Sequence, residues 1–488
     1  MDNLKNQGTK AFVWDFSGKL AMHGMTFVVS IFLARLLEPS DFGLVAMVMV
    51  IIGIAGIFSD VGLGSALIQR RRVLPVHYAS VFFFNITLGT LLALITYLSA
   101  PYIAGFYDND ALIELTQVIS ILFIIGAFSA VQSTKLRKEL NYALLTKVSF
   151  VAALCSGVVG IGLALYGAGV WSLVAQSLTQ GIVYNILIWT KSQWKPSFLF
   201  SFKALIQLWA FGFRMFLSSL LDTVFTRLDT IIIAKLFAPA TLGFFNRAKA
   251  LDQMVITYSS SSLVSVLFPL LSKVQNDLPR FRHIIKKALG LLVFVVFMLL
   301  GVLYLTSYEL IVLMFGEKWV TSVGYFQILV LSGFGYPVSA LFVNVLGSRG
   351  NSKAFLRLEI YKKILLAINL AVAFRWGVEG YLYGYALAML GAVYLNIYFA
   401  SREIALVKMA LIKPIVLQAF ITVSIVLFLS FINQGMELPL FVMLVLKSSE
   451  FIVLYILVNR WFKVESYAYF MQEAKPLFEK LVLKAKKR

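Results

Sequence analysis

Long apolar stretches recur from one end of this chain to the other, and they constrain its fold more than any other feature. A helix that crosses a bilayer needs roughly 20 mostly apolar residues. Of the 488 residues, 60% are hydrophobic and only 14% are charged, and the mean hydropathy is +0.87. A soluble domain has about a quarter of its residues charged. The sequence therefore predicts an all-α polytopic membrane protein.

We predict fourteen membrane-spanning helices, numbered spans 1 to 14 in chain order, each bounded to within about three residues. They cover residues 11–36, 42–68, 78–106, 112–133, 147–166, 169–190, 205–236, 242–271, 284–306, 322–346, 355–375, 379–401, 411–432 and 438–459. After Trp461 the chain mixes apolar and basic residues, which is typical of a helix on the anionic inner surface of a membrane. A frayed, solubilising tail is an equally good interpretation.

Lysine and arginine concentrate in alternate connections, and this asymmetry orients the spans. The basic set comprises Lys5, Lys10, Arg70, Arg71, Arg72, Lys135, Arg137, Lys138, Lys191, Lys195, Lys203, Arg280, Arg282, Lys286, Lys287, Arg349, Lys353, Lys362, Lys363, Arg402, Lys408, Lys413 and the C-terminal tail. The other connections hold few cations and several acids, among them Glu38, Asp41, Asp108, Asp110 and Glu437. Both termini are therefore predicted to be cytoplasmic. Topology accounts for most of the net charge of +20, so we expect no nucleic-acid partner.

A repeated motif indicates that the architecture is doubled. The stretch "ARLLEPSDFGL" from Ala34 returns 200 residues later as "AKLFAPATLGF" from Ala234, and eight of the eleven positions match or exchange like for like. These motifs close spans 1 and 7, which are separated by an even number of crossings. The halves are therefore predicted to be parallel repeats, related by an axis along the membrane normal, with substrate bound between them. A second pair, "YGAGVW" from Tyr166 and "WGVEGY" from Trp376, agrees.

The repeat predicts two six-helix lobes followed by two further helices. The domain boundaries that we expect are an N-lobe over 1–200, a C-lobe over 201–405, spans 13 and 14 over 406–462, and a cytoplasmic basic amphipathic tail over 463–488.

Polar side chains follow one face of the first helix in each predicted lobe. An ionisable group inside a membrane is costly, so such groups are functional candidates. The stripe on span 1 consists of Asp15, Lys19, His23, Thr26 and Ser30. The corresponding stripe on span 7 consists of Ser219, Thr223, Thr226 and Thr230. Interhelical packing is the alternative, although packing groups are usually Ser and Thr rather than Asp, Lys and His.

Further polar groups lie on spans 2, 7 and 8. Span 8 carries one line of polar side chains, Asn246, Lys249, Gln253, Thr257 and Ser260, flanked by Arg247 and Asp252. Span 7 also holds Asp222, Arg227 and Asp229, which do not share one face. Arg227 could pair with an acid, and a structural pair between Asp60 of span 2 and Lys19 is as good an interpretation as a functional role.

We find no motif for catalysis, for a metal or for a cofactor. There is no Walker loop and no Cys/His spacing that would bind a metal. A membrane glycan polymerase would normally present acids or arginines in a sizeable outer loop. The largest outer loop predicted here, residues 307–321, carries only Glu309, Glu317 and Lys318. The sequence therefore predicts a protein that is not an enzyme.

Several stretches in this order resemble the Wzx-type, WzxC-like polysaccharide and oligosaccharide flippases of the MATE-like flippase superfamily. They are "LARLLEPSDFGLVAMVMVI", "DVGLGSALIQRR", "GAGVWSLV", "RLDTIIIAKLFAPATLGFFNRA" and "VLFPLLSKVQND". The resemblance implies that the two lobes form a V around a central cavity. It implies export of an undecaprenyl-diphosphate-linked oligosaccharide from the cytoplasmic to the periplasmic leaflet of the bacterial inner membrane, for lipopolysaccharide, capsule or exopolysaccharide synthesis. Related peptidoglycan-precursor flippases use arginines in span 1, where this chain has Lys19 and His23.

The polar stripes suit such a substrate. Sugars need hydrogen-bonding groups, which the Ser, Thr, Asn and Gln side chains supply, and a pyrophosphate needs cations at membrane depth. The candidate cations are Lys19, Lys249, Arg227 and Arg247. Arg70, Arg71 and Arg72 could attract the headgroup at the cytoplasmic mouth, although positive-inside topology explains them as well.

Alternating access driven by the membrane potential, with antiport of H⁺ or Na⁺, is the mechanism we expect. The ion-coupling candidates are Asp15, His23, Asp60, Asp222 and Asp229. The expected partners are the lipid-linked glycan, membrane lipid, and polysaccharide polymerase and chain-length proteins. The alternatives are a MATE-type cation-coupled drug exporter of the same fold and, in a different class, a polymerase or assembly scaffold.

Overall fold

The structure is a computed structural model that describes the backbone of residues 2–192 and 194–485. Side chains are described within these ranges except at 2–13, 15–16, 19, 255–266 and 477–485. Every regular element in the described ranges is helical.

In the described residues of the first half of the chain, ten helices begin. They are α1 (Asp2–Leu36), α2 (Pro39–Ala55), α3 (Leu63–Gln69), α4 (Pro75–Tyr107), α5 (Ala111–Ile119), α6 (Ile121–Lys138), α7 (Tyr142–Leu165), α8 (Val170–Lys191), α9 (Phe202–Leu236) and α10 (Pro239–Lys273).

Nine more helices follow in the part of the chain that the structure describes, up to residue 485. They are α11 (Leu278–Leu305), α12 (Ser307–Phe315), α13 (Thr321–Ser332), α14 (Gly335–Ser348), α15 (Ser352–Val372), α16 (Gly377–Glu403), α17 (Lys408–Ile432), α18 (Leu440–Trp461) and α19 (Glu465–Ala485). Short 3₁₀ turns cover Gly56–Ser59, Glu317–Trp319 and Ala373–Trp376.

Each of the fourteen predicted spans coincides with one helix or with consecutive helices of this series. Within the described residues, ten helical stretches are long and apolar enough to cross a membrane, and one of these contains both α15 and α16. The chain is therefore a multi-pass membrane protein with an all-α fold, as predicted. The number of fourteen crossings stays a prediction.

Span 2 is not the single helix that the apolar run over 42–68 predicts. Val61 and Gly62 have φ angles of 46° and 73°, so the backbone turns out of the helical conformation between α2 and α3. The Asp60 carboxylate then accepts the backbone N–H of Gly64, at 2.9 and 3.1 Å, and caps the new helix. Glycine adopts this left-handed conformation without the steric cost that a side chain brings.

The chain divides into two compact units, Met1–Asn246 and Arg247–Arg488. The boundary falls inside α10. In the first unit, α9 packs against α2, α3 and α4, whereas the sequence assigns this helix to a C-lobe over 201–405. The lobe boundaries from the sequence stay a prediction.

Within the first unit, the two copies of the repeated motif touch each other at the starts of α2 and α10. A Cβ atom on Gly43 would overlap the carbonyl group of Pro239, and a Cβ atom on Gly243 would overlap the carbonyl group of Pro39. The contact is reciprocal, as expected for two similar segments related by a local two-fold axis. Each glycine permits the close approach of the other segment's backbone.

Ion pairs connect helix ends that the sequence assigns to the same side of the membrane. In the first unit, Lys235 at the end of α9 lies 2.7 Å from the Asp108 carboxylate, just beyond α4. In the second unit, Lys287 of α11 lies 2.6 Å from the Glu473 carboxylate of α19. Both contacts agree with the alternating orientation predicted from the basic residues.

The last helices of the second unit are held by a buried polar network. The Tyr455 hydroxyl of α18 lies 2.9 Å from the Phe294 carbonyl of α11 and 2.5 Å from Gln418 Oε1 of α17. The Gln418 amide donates to Asn459 Oδ1 at 2.6 Å, and Asn459 donates to the Tyr455 carbonyl at 2.9 Å. All three side chains are 0% exposed. Three helices are thus joined by side chains whose polar groups are paired.

A buried ion pair adds to this attachment. Lys447 Nζ of α18 lies 2.5 Å from Glu309 Oε1 of α12. The side chains are 16% and 4% exposed, respectively. Glu309, an outer-loop acid without a predicted role, therefore anchors predicted span 14.

The tail after Trp461 forms a helix docked on α11. A side chain on Gly290 would collide with the Tyr469 ring of α19, and the rings of Phe294 and Phe470 are 4.9 Å apart. In its described part, this tail is a packed helix and not a frayed end. Its position on a membrane surface stays a prediction.

Candidate functional site

The polar stripe on α1 lies on a continuous helix, so its members share one face. His23 and Thr26 are exposed, while Ser30 is half-buried and donates to the Phe27 carbonyl at 2.9 Å. The side chains of Asp15 and Lys19 lie outside the described residues. The proposed Lys19–Asp60 pair is therefore not tested by the structure.

The matching stripe on α9 becomes more buried toward its C-terminal end. Ser219 and Thr226 are exposed, Thr223 is half-buried and Thr230 is 7% exposed. Thr226 Oγ1 is 2.9 Å from the Asp222 carbonyl, and Thr230 Oγ1 donates to Asp229 Oδ1 at 3.1 Å. Asp222 itself is exposed. The carboxylate of Asp229 is thus engaged with its own helix.

Arg227 is the described cation that comes nearest to this stripe, because it follows Thr223 by four residues and precedes Thr230 by three. It is half-buried, and its guanidinium rests on Gly53 of α2, where a Cβ atom would lie 2.7 Å from Arg227 Cζ. Among the described residues we find no acid paired with Arg227. An arginine in the C-terminal third of α9 thus retains its capacity to bind an anion.

Asp60 has a structural task. Besides capping α3 through Gly64, its Oδ1 accepts a hydrogen bond from Asn85 Nδ2 of α4 at 3.2 Å. Asn85 is 1% exposed. The carboxylate therefore joins the α2–α3 break to α4, and this contact is independent of any coupling ion.

The stripe on α10 is only partly described. Asn246 belongs to the first unit, while Lys249 and Gln253 belong to the second. Lys249 is half-buried and Gln253 is exposed. The side chains of Thr257 and Ser260 lie outside the described residues.

Arg247 is held between aromatic rings in the second unit. Its Cζ atom is 4.7 Å from the centre of the Phe315 ring and 4.9 Å from that of Trp319. Arg247 is 9% exposed, and both aromatic residues are 0% exposed. A guanidinium in such a cation–π arrangement stabilises the outer-loop segment. Its surroundings thus give it a packing task, and they offer little room for a ligand.

The arginine cluster at the predicted cytoplasmic mouth is partly engaged. Arg70 Nη2 donates to Gln207 Oε1 at 2.6 Å, and His77 Nε2 lies 3.1 Å from the same oxygen. Arg71 and Arg72 are exposed. The buried His77 helps to attach α4 to α9, a role that the sequence alone does not predict.

The sequence missed a neutral polar cavity inside the first unit. It has a volume of about 510 Å³ and lies among α1, α2, α6, α7 and α8. Its polar lining residues are Ser129, Ser149, Ser177, Gln180, Tyr184 and Asn185. On α8, Ser177, Gln180 and Tyr184 recur at helical spacing, which is the signal that could have found this face. The Oδ1 atom of Asn185 is buried without a hydrogen-bond partner in the described residues.

The fold defines the class of protein. A solved structure of the lipid II flippase MurJ in an inward closed conformation superposes with a TM-score of 0.73, covering 92% of this chain and 99% of that one, at 12% sequence identity. At this identity the likeness shows the fold alone. The chain thus has the helical membrane fold of a known lipid flippase.

Residues 32–324 match the family described as "Polysaccharide biosynthesis protein", and the chain belongs to that family. The resemblance to WzxC-like proteins is thereby confirmed. The Escherichia coli K12 lipopolysaccharide biosynthesis protein WzxC is 23% identical over 70% of each chain. The Rhizobium meliloti succinoglycan biosynthesis transport protein ExoT is 24% identical over 66% of each chain. The Bacillus subtilis teichuronic acid biosynthesis protein TuaB is 28% identical over 57% of this chain, and the match spans 58% of TuaB.

Proposed function

We propose that this protein moves a polyprenyl-diphosphate-linked oligosaccharide from the cytoplasmic to the periplasmic leaflet, as a transporter and not as an enzyme. The family, the transport and biosynthesis names of the relatives, and the fold shared with a lipid II flippase support this function. The product would then pass to polysaccharide polymerase and chain-length proteins.

Arg227 is the single observation that carries the proposal. A half-buried arginine within a membrane-length helix is costly unless it has a partner. Its fork of donors matches phosphate oxygens, and no acid among the described residues occupies it. The pyrophosphate of the substrate would supply the missing anion. Lys19, which belongs to the same unit, is a further cation that we propose for this headgroup, and Lys249 of the second unit stays a candidate from the sequence alone.

The neutral groups suit the glycan. The α9 hydroxyls and the cavity around Gln180 and Asn185 offer donors and acceptors beside apolar walls, which is typical of a site for a neutral polar ligand. A MATE-type exporter of organic cations would be expected to line its cavity with acids. Asp60 already accepts hydrogen bonds from Gly64 and Asn85, and Asp229 accepts one from Thr230. A scaffold would leave Arg227 without a task.

The test is flipping in proteoliposomes with a defined polyprenyl-diphosphate-linked glycan, scored by the leaflet that holds the glycan. Arg227→Gln should reduce the rate by about 10- to 100-fold, because a hydrogen bond to a charged group contributes about 1.5–3 kcal/mol. Arg227→Lys should retain part of the activity. Arg214→Gln is the matched control, since it removes the same charge from an exposed position on another face of α9. Wild-type flipping by Arg227→Gln would contradict the proposal.

We propose the bacterial inner membrane as the location, with both termini in the cytoplasm. A single cysteine placed at Ser352 in a Cys155→Ser background should resist an impermeant thiol reagent in whole cells. A cysteine at Asp110 should react, because it lies on the opposite predicted side. Both positions are exposed, so burial would not mask the result, and external labelling at Ser352 would reverse the orientation.

We further propose that the membrane potential drives export, with inward return of a cation. A pyrophosphate carries about two negative charges, so an inside-negative potential of 100 mV could supply about 4.6 kcal/mol. Protein cations that cross the field together with the pyrophosphate cancel part of this free energy. Antiport of H⁺ or Na⁺ through Asp15, His23 or Asp222 would restore it. Imposing potential and pH gradient separately with ionophores tests this. Equal rates and final distributions with and without both gradients would make the protein a passive scramblase.

A further inference from the structure

A cavity in the second unit lies beside the docked tail and shares no lining residue with the candidate site. It has a volume of about 670 Å³ and is lined by α11, α17, the turn after α18 and the start of α19. Since α19 packs on α11 through Gly290 and Tyr469, the cavity is the space that remains between α19 and α17.

Three lysines line this cavity, each from a different segment. Lys286 lies in the first third of α11, Lys413 lies in the second turn of α17, and Lys463 follows the end of α18. All three are exposed, and all lie at the ends of the helices that the sequence assigns to the cytoplasm. Glu465 is the single carboxylate among the lining residues. The lining therefore carries an excess of positive charge at headgroup depth.

The turn that positions Lys463 is well defined. Lys463 has a φ of 49°, and the next residue, Val464, donates its N–H to the Asn459 carbonyl at 3.0 Å. Val464 is 6% exposed and anchors the turn. Because α19 begins at Glu465, its first residues also line the cavity, and the N-terminus of a helix attracts anions.

The deeper lining is apolar and opens toward lipid. Leu289, Leu417, Phe420 and Ile421 line this part. Phe420 is 70% exposed although it lines the cavity, so a chain that enters there can continue into the bilayer. Cations at headgroup depth above an apolar wall match an amphipathic anion with acyl chains. Basic pockets between membrane helices on the cytoplasmic side are sites of this kind for phospholipid headgroups.

We propose that this cavity binds an anionic phospholipid of the cytoplasmic leaflet. Its phosphate lies among Lys286, Lys413 and Lys463, and its acyl chains follow Leu417 and Phe420 into the membrane. The bound lipid fills the space between α17 and α19 and thereby holds the tail helix against the rest of the unit. This proposal is independent of the transport function.

The experiment measures phospholipids retained by the purified full-length protein in native mass spectrometry, with phosphatidylglycerol and phosphatidylethanolamine offered in equal amounts. The wild type should retain phosphatidylglycerol preferentially. Lys286→Gln/Lys413→Gln/Lys463→Gln should weaken that binding about 100-fold, at about 1 kcal/mol per lysine. Lys286→Arg/Lys413→Arg/Lys463→Arg should preserve it. The matched control Lys191→Gln/Lys353→Gln/Lys475→Gln removes three exposed lysines of the same predicted side without touching the cavity.

A second variant separates shape from charge. Ala410→Phe fills part of the cavity and changes no charge, so it should also displace phosphatidylglycerol while the protein remains monodisperse. Equal retention by the cavity triple variant and the control triple variant would overturn the proposal. Retention of polyprenyl diphosphate that falls in the cavity triple variant, but not in the control triple variant, would overturn it too, because the cavity would then be a substrate site.

Discussion

The two units hold their helices together in different ways. In the first unit, the repeat seam, formed by Pro39, Gly43, Pro239 and Gly243, brings backbone against backbone. In the second unit, the C-terminal seam joins α17 and α18 to α11 and α12 through buried polar side chains, namely Gln418, Tyr455, Asn459, Glu309 and Lys447. The four residues of the repeat seam carry no polar side chain, so separating it breaks no side-chain hydrogen bond. Separating the C-terminal seam would leave several buried polar side chains without hydrogen-bond partners.

This difference indicates which seam can move. A contact between glycines and carbonyl groups has no directional side-chain bonds to break, so it can open and close at a modest cost. A buried network is stable only when each member is satisfied. We therefore expect substitutions at the repeat seam to affect transport, and substitutions at the C-terminal seam to affect stability.

The largest expected effect is at the C-terminal seam. Lys447→Met leaves the Glu309 carboxylate, which is 4% exposed, without its ion-pair partner. Removing one partner of a buried pair costs about 3–5 kcal/mol. The free energy of unfolding, measured by denaturant titration of the purified protein in detergent, should fall by that amount. Glu309→Gln/Lys447→Met should recover most of the loss, and equal destabilisation of the single and double variants would show that the pair is not the cause.

At the repeat seam we expect a smaller loss of stability than at the C-terminal seam, but a larger loss of transport. Gly43→Val places a side chain where the Pro239 carbonyl lies, and overpacking costs about 1–3 kcal/mol. The flipping rate per folded molecule should fall by more than the loss of unfolding free energy explains. Gly243→Val should have the same effect. Gly162→Val is the control, since a Cβ atom there meets no atom within 4 Å. Indistinguishable flipping by the Gly43 and Gly162 variants would remove the functional distinction between the seams.

The smallest expected effect is from Tyr455→Phe. The change deletes the hydroxyl beside the Phe294 carbonyl and Gln418 Oε1 but keeps the ring. The unfolding free energy should fall by about 1 kcal/mol, the net contribution of a hydrogen bond, and flipping should not change. Reduced flipping with an unchanged unfolding free energy would contradict this prediction, because it would show that the C-terminal seam moves during transport.

The helices could be predicted because apolar run length alone decides where a chain can cross a bilayer. The break at Gly62 could not, since it depends on how closely that residue approaches another helix. A Cβ atom there would overlap the Gly212 carbonyl of α9, and the sequence does not show which distant residues meet. For the same reason, the sequence alone does not predict the contact between His77 of α4 and Gln207 of α9.

The candidate site was only partly predictable for a related reason. Charged residues inside apolar runs stand out in the sequence, so the sequence predicts Arg227 as a candidate. The contact of its guanidinium with Gly53 depends on how α2 and α9 pack, and the sequence alone does not predict it. The residues around Gln180 are neutral, and neutral polar groups in a membrane helix resemble ordinary packing. Only the convergence of several helices shows that they line one cavity.

The reciprocal contact of the repeat has a consequence for ancestry. If the halves descend from one duplicated gene, the ancestral six-helix protein would have met a second copy of itself through this same surface, as a two-fold homodimer. Fusion would then have turned an association between molecules into a permanent intramolecular one. In the fused chain, a side chain at Gly43 or at Gly243 disturbs the backbone of the opposite segment, so the two positions constrain each other although they are encoded 200 residues apart.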